Sequence, residues 1–131
     1  MEGSVLGPHV MQMDEDVSRK KGLGIWERES FGSVLTLTIV DTVEEAIDAA
    51  NDSDYSLTSS VWTRYLHPAR KVAKAVRAGY TNVNGSTIHL EPALGLAGLG
   101  CVPFTTYHFN LSHGFTYEKC VVVHPGTDSA T

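Results

Sequence analysis

The alternation of hydrophobic and polar positions becomes legible at Val34. Leu35, Leu37 and Ile39 alternate with Thr36 and Thr38, the period-two pattern of a strand over residues 34–40. Asp41 and Thr42 break it. Thr42 and Glu45 have capping-box spacing, in which each side chain serves a free amide at a helix start. Val43, Ala46, Ile47 and Ala50 then recur at i, i+3, i+4 and i+7, one apolar stripe on a helix that Asn51-Asp52-Ser53-Asp54 ends. Residues 57–62 predict a second strand. A second helix follows, with Pro68 suited to its first position and Gly79 placed to stop it in a left-handed conformation. Its apolar stripe is Ala69, Val72, Ala73 and Val76, opposed by Arg70, Lys71, Lys74 and Arg77. Residues 80–84 predict a short third strand.

Strand, helix, strand, helix, strand with short links is the order of consecutive parallel crossovers. Residues 34–84 are therefore expected to form a three-stranded piece of an α/β layer. Residues 1–25 are weakly patterned, with an acidic run, Asp14-Glu15-Asp16, and a basic cluster, Arg19-Lys20-Lys21. They read as irregular or edge structure. From Gly85 the chain is loop-like apart from one strand over residues 115–123. No helix returns that strand to the same sheet, so it is expected to pair elsewhere, another chain being one option.

The length of 131 residues suits one domain, and 42% apolar content argues against wholesale disorder. A net charge of −5 gives no general attraction to nucleic acid or anionic membrane. Two cysteines, Cys101 and Cys120, are too few for a disulfide scaffold. The start lacks the basic end and apolar core of a signal peptide. The most apolar stretch, residues 93–104, is glycine-rich and shorter than the roughly 18 residues of a membrane helix. A cytoplasmic location is expected, which leaves the Asn-x-Ser sequons at Asn51, Asn84 and Asn110 without a role.

Candidate chemistry begins at Glu29-Ser30-Phe31-Gly32, which sets a carboxylate and a flat apolar ring immediately before a strand. Two further stretches follow in order: Ala49-Ala50-Asn51-Asp52-Ser53-Asp54-Tyr55-Ser56-Leu57-Thr58, and Arg77-Ala78-Gly79-Tyr80-Thr81-Asn82-Val83-Asn84-Gly85. Jointly, over residues 22–92, they resemble the C-terminal part of the aldehyde dehydrogenase superfamily. The run from Asn84 through Ile88 and His89 to Pro92 is similar to members of the benzaldehyde, salicylaldehyde and vanillin dehydrogenase type.

The resemblance implies an α/β fold: part of a catalytic domain over residues 26–100, after the irregular 1–25, then a divergent loop and an oligomerisation-type strand over 101–131. It implies NAD or NADP as cofactor, with Glu29 on the hydroxyls of the nicotinamide ribose and Phe31 against the nicotinamide end. A carboxylate accepts two hydroxyl hydrogen bonds at once, which agrees. Ile88 and His89 would border the aldehyde entrance, and residues 115–123 would serve contact with another copy or a full-length relative. Ser33 stands where the family usually has proline.

The implied reaction is aldehyde to carboxylic acid. A cysteine thiolate attacks the aldehyde, hydride leaves to NAD(P), and water releases the acid from the thioester. In family members that cysteine, its glutamate base and the dinucleotide-binding domain precede the Glu-x-Phe-Gly motif, so no catalytic residue is assigned in this chain. An inactive fragment or truncated paralogue is the expectation; a non-catalytic module that associates with full-length dehydrogenases is the alternative. Cys101 follows Gly98-Leu99-Gly100 but stands on the wrong side of Glu29 to be the nucleophile, and Cys120 reads as a small core residue. The family's glycine-rich loop is not recognisable over residues 101–114, through divergence or through a misread gene. Cys101, His108, His113 and Cys120 could supply four zinc ligands, but without a close Cys-x-x-Cys-like pair no metal site is assigned. Residues 95–100 lack the lysine and following helix of a phosphate loop.

Overall fold

The computed structural model describes residues 7–13, 22–88, 99–100 and 119–124. The chain divides into two compact units, Met1–Asp54 and Tyr55–Thr131.

In the first unit β1 (His9–Gln12) and β2 (Val34–Leu37) form a two-stranded parallel sheet, with His9 opposite Val34 and Gln12 opposite Leu37. The ladder is extended at both ends by His9 N–H to Ser33 O (2.8 Å) and Met13 N–H to Leu37 O (2.7 Å). The partner of β2 corrects the expected three-stranded layer over 34–84. Among the described residues Val34–Leu37 pairs with a strand from the weakly patterned N-terminal stretch and with no strand that follows it. The alternation is present, but Leu35 (62% exposed) and Ile39 (65%) point outward, while Val34, Thr36, Thr38 and Val40 are half-buried.

A short helical turn, α1 (Gly24–Glu27), follows Gly22, whose φ of +117° is open to glycine alone at little strain. The Gly22 amide is held by the Glu27 carboxylate at 2.7 Å. Helix α2 (Val43–Asn51) starts as its sequence demands. Thr42 Oγ1 accepts the Glu45 amide at 3.2 Å, and the Glu45 carboxylate accepts the Asp41 amide at 3.0 Å. The return bond thus falls one residue ahead of the N-cap. The Trp26 indole N–H donates to the Asp52 carboxylate just beyond α2 (2.9 Å), tying the two helices together.

The second unit is built around β5 (Tyr80–Val83), whose four residues are all buried. It is the centre of a parallel sheet, with β4 (Thr58–Val61) on one side and β7 (Cys120–Val123) on the other. Helix α3 (Leu66–Ala75) connects β4 to β5 as a parallel crossover. It packs Ala69 and Ala73 on Val83, with Val61 at the margin, and leaves Arg70, Lys71 and Lys74 in solvent. Two alanines let the helix lie close to the strand. Pro68 is the third helical residue, still in the first turn where its missing amide has no partner to lose. The stop expected at Gly79 is corrected: the helix ends at Ala75, and Val76 is its extended C-cap (φ −67°, ψ 131°). Gly79 serves instead as an acceptor, its carbonyl taking the Cys120 amide at 2.9 Å.

Strand β7 is the described part of the strand expected over residues 115–123. Its pairing with β5 inside this chain corrects the expectation that it finds its partner elsewhere. A short antiparallel pair, β3 (Tyr55–Ser56) with β6 (Leu99–Gly100), completes the unit. No helix among the described residues is long and apolar enough to cross a membrane.

Candidate functional site

The residues singled out by the sequence fall into both units. Glu29 and Phe31 occupy the segment between α1 and β2, at the amino end of β2. Both are exposed, and the Phe31 ring is 97% so. A bare aromatic ring is the unusual feature here, because Phe is ordinarily among the buried residues. The segment is anchored after it: Val34 N–H bonds Gly32 O (2.8 Å) and Ser33 O takes the His9 amide, so the serine that replaces proline lies in a tethered turn.

Ile88 belongs to the second unit and is 86% exposed, three residues after Gly85 at the carboxyl end of β5. His89 lies outside the described residues, as do Cys101, His108 and His113. Among the described residues no group of three or more potential metal ligands occurs. The Cys120 thiol is half-buried and burial pushes its pKa up, the reverse of what activates a nucleophile.

The carboxyl ends of β4, β5 and β7 gather polar side chains of which the sequence reading singled out only Asn84; Ser60, Asn82 and His124 were not among its candidates. This end of a parallel sheet is where α/β proteins collect ligands. Ser60 Oγ donates to Gly85 O, and the Thr63 amide donates to Asn84 Oδ1 at 2.9 Å. Asn84 takes φ 57°, a left-handed conformation that asparagine tolerates better than other side chains. His124 Nε2 stands 2.9 Å from Asn82 Oδ1, and Asn82 is fully buried. The signal in the sequence was an asparagine inside the short strand, Asn82, with a second, Asn84, just beyond its end.

The matching model is that of the aldehyde dehydrogenase family, over residues 2–100. The chain belongs to the aldehyde dehydrogenase family. It is 36% identical over 81 residues to the NAD(+) benzaldehyde dehydrogenase of Pseudomonas putida, covering 62% of this chain and 17% of that one. It is 45% identical over 65 residues to the lactaldehyde dehydrogenase of Escherichia coli K12, covering 50% and 14% respectively. Among solved structures, an NAD-dependent aldehyde dehydrogenase from Sinorhizobium meliloti superposes with a TM-score of 0.58 at 34% identity, covering 70% of this chain and 17% of that one. This aldehyde dehydrogenase chain thus spans about a sixth of the length of the relatives it matches.

The Glu29 carboxylate and the Phe31 ring are both uncovered, which leaves them open to a nicotinamide cofactor.

Proposed function

We propose that this chain is a segment of an NAD(P)-dependent aldehyde dehydrogenase oxidising aldehydes to carboxylic acids, aromatic aldehydes being its substrate class. The uncovered Phe31 ring beside Glu29, within a segment of family sequence, carries the reading. Glu29 accepts the two ribose hydroxyls, and Phe31 lies along the nicotinamide. NAD(P) supplies the hydride acceptor when bound. Ile88 and His89 border the aldehyde, which the similarity to a benzaldehyde dehydrogenase supports.

The isolated 131-residue polypeptide is inactive, because neither cysteine occupies the nucleophile's place in the family order and Cys120 is half-buried with a raised pKa. NADH formed from benzaldehyde by the pure polypeptide would refute this. The positive test is a chimera in which residues 22–92 replace the matching segment of the Pseudomonas putida enzyme. NAD-dependent benzaldehyde oxidation is expected, with E29Q and F31A raising KM for NAD more than KM for benzaldehyde. A folded chimera whose KM for NAD ignores both substitutions sinks the cofactor assignment.

A second reading draws on a different observation. The outer edge of β7 has no ladder partner among the described residues, and Val121 and Val123 are exposed beside it. An unpaired edge is a template for another chain, so residues 115–123 also suit association with another copy or a full-length dehydrogenase, without catalysis. Co-purification with a full-length relative supports this; a monomer that ignores such a relative counts against it.

A further inference from the structure

Strand β7 is held by side chains at both ends as well as by its ladder. At its start Lys119 Nζ donates to Val76 O, the carbonyl of the α3 C-cap. At its end the His124 amide donates to Val83 O at 3.0 Å, and the ring reaches Asn82 Oδ1 at 2.9 Å. A carboxamide oxygen only accepts, so Nε2 is the protonated ring nitrogen. The carboxamide of Asn82 has no exposure to water, and a buried polar group requires a hydrogen-bond partner inside the protein.

The same imidazole lies against Gly85. A Cβ built on Gly85 would overlap the ring, with His124 Cγ 3.1 Å away. Gly85 does not have the positive φ that usually explains a glycine in a turn; Gly22 is the one described glycine that does. Gly85 is therefore small because His124 fills the space, not because its backbone requires it. Its carbonyl is held by Ser60 from β4, and its neighbour Asn84 is held by the Thr63 amide. The segment that leaves the sheet toward Ile88 thus departs from a point fixed by β4, β5 and β7 together.

We propose that His124 is a positioning residue for the rim over residues 85–88: its ring, oriented by Asn82, sets the direction in which the segment carrying Ile88 leaves the sheet. The C-terminal strand, where the family's glycine-rich loop is not recognisable ahead of it, is by this account still coupled to the family's Asn-Gly turn. Its bearing on specificity rests on the proposed role of Ile88 at the aldehyde entrance.

The test is a double-mutant cycle in the full 131-residue chain, read by urea unfolding. G85A lowers the folding equilibrium constant by at least about tenfold in the chain with His124, and by less than about threefold in the H124A chain, where the ring is gone. Equal losses in both backgrounds overturn the proposal. Should G85A alone fail to fold, G85A/H124A folds; if that also fails, Gly85 is needed for another reason and the proposal falls. Positioning is read from the Ile88 δ1 methyl resonance. It shifts in H124A, returns toward its original place in His124→Gln, which keeps a donor for Asn82, and stays put in K119M, which loosens the other end of β7. A shift in K119M as large as in H124A reduces His124 to a structural role and overturns the positioning claim. No aldehyde or cofactor enters these measurements, so the clasp and the substrate-rim reading stand or fall separately.

Discussion

Val83→Ala tests whether the core of the second unit lies where its burial places it. Val83 has no exposure to solvent and sits against Ala69 and Ala73 of α3, with Val61 beside it. The substitution removes two carbons. At about 0.8 kcal/mol for each buried methylene, the lost transfer energy is about 1.6 kcal/mol. Alanines on the facing helix cannot extend to fill the gap, so the space stays open. A void of roughly 40 Å3 at about 24 cal/mol per Å3 adds about 1 kcal/mol. The expected loss is about 2.5 kcal/mol. With a urea m-value of about 1.5 kcal/mol/M, the midpoint falls by about 1.7 M. Leu35→Ala is the matched control: it removes more carbon, but from a side chain that is mostly in water. Its loss should stay within about 0.5 kcal/mol. A Val83→Ala loss below about 1 kcal/mol, or a Leu35→Ala loss as large as that of Val83→Ala, would show that the outward and inward faces have been misjudged.

Two further outcomes follow from side chains that act locally. Thr42→Ala removes the acceptor for the Glu45 amide and should destabilise α2 by about 1 kcal/mol, while Thr42→Ser retains most of it. Hydrogen exchange at the Glu45 amide checks this, and unchanged protection in Thr42→Ala would refute the cap. Burial raises the Cys120 thiol above its ordinary value of 9.0, so the folded state favours the protonated thiol. That contribution is complete below pH 9.0 and is lost as pH rises toward and through the folded value. The stability advantage of the native chain over Cys120→Ala should therefore shrink between neutral pH and pH 10, measured by urea midpoints. Lys119, whose pKa burial lowers, changes stability in the opposite sense but is common to both chains and cancels. A gap that widens with pH would contradict the assignment.

How far the sequence could be read depends on whether the deciding interaction is local. Helix α3 was legible because its stripe and its charged face are each encoded by steps of no more than four residues, and Ala69 and Ala73 turn inward as the spacing requires. The start of α2 was legible for the same reason, since Thr42 and Glu45 are one turn apart. Strand β2 shows where this ends. Alternation establishes that its residues divide between two faces, but not which face is covered, and Leu35 and Ile39 proved to be on the open side. Its partner β1, His-Val-Met-Gln, carries no alternation to announce a strand; its pairing rests on backbone hydrogen bonds that any sequence can make.

The site divides along the same line. Glu29 and Phe31 drew attention through a short motif, and the structure adds that both are uncovered at the amino end of β2. The cluster at the carboxyl ends of β4, β5 and β7 joins residues as far apart as Ser60 and His124, so no window of sequence displays it. What sequence does display is the need for such a partner: Asn82 lies between Thr81 and Val83 in a wholly buried strand, and a buried carboxamide left without a hydrogen bond costs about 1–3 kcal/mol. A polar residue in a strand that reads as buried therefore announces a distant donor without naming it. In this chain His124 supplies such a donor, directly after a strand that the sequence reading expected to pair elsewhere, another chain being one option. The pairing of Cys120–Val123 with β5 and the His124 bond to Asn82 thus arrive together: removing β7 would open the edge of the central strand and take away that bond to its buried carboxamide at once.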